Sequence, residues 1–158
     1  MKQYALPMDE LFPLLELQLE HGEAGPLPVT GCSMTPMLRQ GRDMVWLTRA
    51  DGAPRRGDVI LYRRANGQFV LHRVIRADVD RLLCCGDNEW RPEEVAYLQI
   101  RAAMSAFRRR GRRYSANHPL YRLYICLCVE LFPARRLLIA ARRTLGRLKR
   151  RIRSRIAE

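Results

Sequence analysis

The stretch Gly31-Cys32-Ser33-Met34-Thr35-Pro36-Met37-Leu38, with Leu71-His72-Arg73-Val74-Ile75 further along, decides how this chain is read. The first segment sets a serine among small and turn-forming residues. The second is an apolar, strand-like run that carries one histidine. A serine hydroxyl is a poor nucleophile until a base takes its proton, and imidazole is the side chain most readily neutral, and so basic, near pH 7. Ser33 is therefore the candidate nucleophile and His72 the candidate general base, a pair that needs no cofactor and no metal. Alternation along the second run puts Val70, His72 and Val74 on one face, in partly apolar surroundings.

The rest of the body reads as short strands separated by turns. Met44–Thr48, Val59–Arg63, Gln68–Arg76, Arg81–Cys85 and Tyr97–Phe107 have strand composition. Asn66-Gly67 predicts a hairpin through a type I′ turn between the second and third of these. No βαβ rhythm is present, so the expectation is a mainly β, barrel-like antiparallel body. Asp9 can cap a short helix reaching Glu20, with Leu11, Leu14, Leu15 and Leu19 near one face and Gly22 ending it. Residues 23–28 read as a Gly/Pro linker. The expected organisation is a helix over 1–22, a catalytic β domain over 28–113 and a helical tail over 114–158.

Three more fragments follow in order: Gly41-Arg42-Asp43, Arg56-Gly57-Asp58-Val59-Ile60 and Gly86-Asp87-Asn88. Together with the serine and histidine segments they resemble the core of the signal-peptidase I and LexA-type serine peptidases, closest to the branch that pairs serine with histidine. The resemblance implies a coiled, mostly antiparallel β fold and an endopeptidase that removes a leader or signal segment from a peptide or protein precursor. It also implies Asp87, 15 residues after His72, as the group that orients the imidazole. Related enzymes often have another acidic residue just downstream, and Asn88, Glu93 and Glu94 lie nearby. Asp43 and Asp58 are expected to be structural. The backbone N–H of Ser33 is one oxyanion donor; where many relatives have a hydroxyl this chain has Gly31, leaving a second N–H, Thr30 or Thr35. Ala24-Gly25 is similar to the bond that LexA-type proteins cut in themselves, but self-cleavage so close to Ser33 is disfavoured.

Charge divides the chain. Residues 1–100 hold 12 Lys/Arg and 14 Asp/Glu, whereas residues 101–158 hold 17 and 2, so the whole +13 excess is C-terminal. Beyond Pro133, Leu138, Ala141, Leu145, Leu148, Ile152 and Ile156 recur at helical spacing among arginines, predicting a basic amphipathic helix. An anionic membrane surface is the expected partner of that tail, with peripheral association on the cytoplasmic side. Nucleic acid is not favoured, because aromatic residues are not interleaved with the last basic positions. Acidic residues interrupt Met8–His21 well short of ~20 apolar residues, so neither a signal peptide nor a span is read there. Cys32, Cys84, Cys85, Cys126 and Cys128 lack zinc-ligand spacing and predict free thiols rather than a disulfide scaffold. A non-catalytic membrane-surface or nucleic-acid binder on the same fold is the competing reading.

Overall fold

The computed structural model describes residues 8–134, 137–139 and 141. Helix α1 (Met8–Glu20) is followed by strands β1 (Gly25–Pro28), β2 (Met44–Thr48), β3 (Val59–Arg63), β4 (Phe69–Ala77), β5 (Arg81–Cys85) and β6 (Glu93–Ala96). A 3-10 turn over Tyr97–Gln99 leads into β7 (Ile100–Arg109) and β8 (Arg112–Ser115), which are followed by α2 (Pro119–Glu130). The fold is mainly β, as expected. Its eight strands form one antiparallel sheet in the order β1-β2-β7-β3-β4-β5-β6, with β8 added to β7, and the sheet is open rather than closed into a barrel.

Three strands escaped the sequence reading. The Gly/Pro linker contains β1, which pairs Gly25 with Leu47 and Pro28 with Met44. At the opposite edge, β6 pairs with β5, and β8 crosses the expected 113/114 boundary. The hairpin at Asn66-Gly67 forms, but its turn differs from the expected type I′. Gly67 takes φ +86° while Asn66 does not, since Arg110 is the one non-glycine residue at positive φ among the described residues. The Asn66 side chain instead accepts a hydrogen bond from the Gln68 N–H at 3.1 Å, a local closure that favours a longer loop.

Both faces of β3 are buried, which explains its unbroken apolar run. Val59 and Leu61 join a core with Leu15, Leu19, Leu27, Val45 and Leu47. Ile60 and Tyr62 join a second cluster with Val74, Leu82, Cys84 and Val95. Helix α1 buries Leu15 and Leu19 and stacks Phe12 on Phe69 at 4.4 Å, while Leu14 faces outward. Helix α2 buries Tyr121, Cys128 and Val129. It approaches the turn before β3 so closely that a Cβ at Gly57 would lie 2.5 Å from Ile125. All five cysteines are free thiols. The tail positions Leu145, Leu148, Ile152 and Ile156 lie outside the described residues.

Candidate active site

Ser33 and His72 line one cleft of about 370 Å³. Its walls are two sheet edges. On one side runs β1 continuing through Val29 and Thr30; on the other are Phe69 to His72 of β4. These β4 residues pair only with β3, because the pairing with β5 begins at Arg73. Each edge therefore presents backbone groups to an extended chain.

The serine loop is held from behind. The Asn88 N–H donates to the Ser33 carbonyl at 2.7 Å, and a Cβ at Gly86 would sit 2.7 Å from that same carbonyl oxygen. Only glycine lets the 86–88 turn approach so closely. Cys32 accepts from the Thr35 hydroxyl at 2.8 Å, so that hydroxyl is engaged within its own turn. Thr30 lines the cleft and Thr35 does not. Asp43 and Asp58 hold turns, as expected: Asp43 is buried and accepts from Arg42 and the Arg39 N–H, and Asp58 accepts from the Arg55 N–H.

His72 is buried, and its Nδ1 lies 3.0 Å from the Tyr62 hydroxyl and 3.2 Å from Glu93 Oε1. Tyr62 donates its proton to Glu93. Burial and then the neighbouring Glu93 carboxylate push the phenol well above its ordinary range, so it keeps that proton. With the phenol's single hydrogen committed to Glu93, Nδ1 must supply the hydrogen it shares with Tyr62 and Glu93. Nε2 is then the unprotonated nitrogen, and its nearest carboxylate is Glu89 at 3.7 Å. Arg64 grips Glu93 through Nε at 2.8 Å and Nη2 at 2.6 Å. Burial would push the Glu93 carboxyl up, but hydrogen bonds from His72, Arg64 and Tyr62 outweigh it and hold it well below the usual carboxylate range.

Asp87 does something other than orient His72. Its carboxylate accepts Arg73 Nε and Nη2, each at 2.8 Å, and the Tyr124 hydroxyl at 3.0 Å. Adjacent strand residues point to opposite faces, so the acid paired with Arg73 lies across the sheet from the ring of His72. Glu93 stands where Asp87 was expected. Tyr62, Arg64 and Glu89 were not singled out from the sequence. The Arg63–Phe69 pairing at the base of the hairpin would have placed Tyr62 on the face of His72.

Residues 3–104 match the Peptidase S24-like family model, a serine-peptidase-type fold of the LexA and signal-peptidase I superfamily. Comparison with individually curated proteins found no match.

Proposed function

We propose that this chain, which belongs to the Peptidase S24-like family, is a serine endopeptidase of the Ser-His kind that cuts a leader or signal segment from a peptide or protein precursor. The single observation that carries the reading is the shared cleft of Ser33 and His72, with the ring fixed by Tyr62 and Glu93 so that Nε2 is the basic nitrogen.

The Ser33 hydroxyl attacks the scissile carbonyl while Nε2 takes its proton. The imidazolium that results lies between Glu93 and Glu89, and two nearby carboxylates stabilise that charge. The N–H of Ser33 donates to the oxyanion. His72 then returns the proton to the departing amine, and the bond to it breaks. Water hydrolyses the acyl-serine by the same steps in reverse roles. The substrate lies extended between β1 and the free edge of β4, held by main-chain hydrogen bonds.

The test is a peptide library offered to the purified chain. Ser33→Ala should lower cleavage by ~10³-fold or more with an unchanged melting curve, and Cys32→Ala should keep most activity. A dead Cys32→Ala beside an active Ser33→Ala would move the nucleophile to the thiol. An inert wild-type chain that still binds the peptides would leave the non-catalytic reading standing.

A further inference from the structure

We infer that an anionic lipid bilayer docks on a face built from the β7–β8 hairpin and the outer side of α2, independently of the tail beyond Pro133. The hairpin runs Arg108-Arg109-Arg110-Gly111-Arg112-Arg113, and turns with Arg110 and Gly111 both at positive φ. Helix α2 turns Tyr121, Cys128 and Val129 inward and leaves Leu120, Leu123, Leu127 and Leu131 more than half exposed, at 72, 59, 51 and 54%. Steps of three, four and four residues keep these leucines on one stripe.

The two features are neighbours. Phe107, at the root of the hairpin, packs on Tyr114 at 5.4 Å and on Tyr121 of α2 at 4.8 Å. Arg109 and Leu120 line one apolar recess of about 190 Å³. A contiguous apolar stripe of this kind marks an interaction surface rather than ordinary solvent-facing residues.

Charge decides what covers it. Residues 142–158 hold eight Lys/Arg and one Glu, a charge of the same sign as the hairpin arginines and so no complement to them. Nucleic acid would satisfy the arginines but leave the leucines in water. Anionic headgroups with acyl chains beneath them satisfy both, through phosphate attraction and shallow insertion. Among the described residues no helix is long and apolar enough to cross a membrane, so the helix lies in the interface.

The experiment uses the full chain and vesicles of phosphatidylcholine with or without phosphatidylglycerol. Leu123→Ser with Leu127→Ser should weaken binding to the anionic vesicles roughly tenfold or more. Arg110→Gln with Arg112→Gln should do the same at low salt, with the difference shrinking as salt rises. All four positions are exposed, and circular dichroism melts should be unchanged. Should the serine pair unfold, Leu120→Gln with Leu131→Gln reads the same loss from the two ends of the stripe. Wild-type binding by both pairs overturns the inference and leaves the tail as the membrane contact. So does an effect of the arginines alone, which indicates a polyanion surface. A leucine pair that splits a dimer without altering vesicle binding assigns the stripe to a second copy instead.

Discussion

Glu93 beside His72 and Asp87 beside Arg73 have different work, and single substitutions separate them. Glu93 holds the tautomer of His72, so Glu93→Gln should lower kcat by roughly 10²-fold or more, as expected when an orienting carboxylate is lost. The same variant should change the acid limb of stability. The folded Glu93 carboxyl titrates below its ordinary value of 4.5, so its contribution is fully present above that value and is lost as pH falls further. Unfolding midpoints measured from pH 7 down to acid should therefore drop more steeply in the wild type than in Glu93→Gln. Asp87→Asn should behave oppositely. It leaves the fully buried Arg73 guanidinium without its counter-ion, which costs about 3–5 kcal/mol, read as a large fall in melting temperature. A variant that melts normally but loses turnover would return Asp87 to the imidazole.

At the level of elements, the strands legible in the sequence were the apolar ones. Val59–Arg63 and Arg81–Cys85 are runs that only burial explains, and β2 alternates cleanly. The missed strands are edges. Gly-Pro-Leu-Pro looks like a linker because two prolines cannot donate to a ladder, yet an edge strand needs only one bonded side. Glu93–Ala96 and Arg112–Ser115 carry the charges with which edges avoid pairing with other chains. The same limit governed the site: Ser33 and His72 were legible as motifs, but which acid meets which base depends on the face of β4. Helix α2 shows what sequence spacing withheld. Its Tyr121 accepts from Arg73 Nη1 at 3.1 Å and its Tyr124 donates to Asp87, so an element read as tail braces the turn behind Ser33. Tyr124→Phe removes one hydrogen bond to a charged acceptor, worth about 1.5 kcal/mol. Its signature should be a lower melting temperature with the ring stack on Arg73 retained; an unchanged melt would show that the bond to Asp87 contributes nothing.

Across the whole molecule, the family match ends at residue 104, but the folded unit reaches further. Phe107, Tyr121, Cys128, Val129 and Phe132 are buried, and Tyr121 belongs to the same core as Leu15 and Val45. A chain ending at Ala134 keeps all of these contacts. It should melt close to the full-length protein and cleave a soluble peptide at a similar rate. It should also keep part of its affinity for anionic vesicles through α2, while losing the share contributed by the net positive residues 142–158. A chain ending at His118 is a different case. It strips the two tyrosines from the Arg73–Asp87 pair, uncovers Phe107 and removes four buried side chains, each worth about 1.5–3 kcal/mol when fully buried. That sum is of the order of a domain's entire stability, about 5–15 kcal/mol. The shorter chain should therefore lack a cooperative melt and cleave nothing, even though Ser33, His72 and Glu93 are all present. Cooperative unfolding of the His118 chain at the full-length temperature would show that the β body folds alone and that α2 is an appendage.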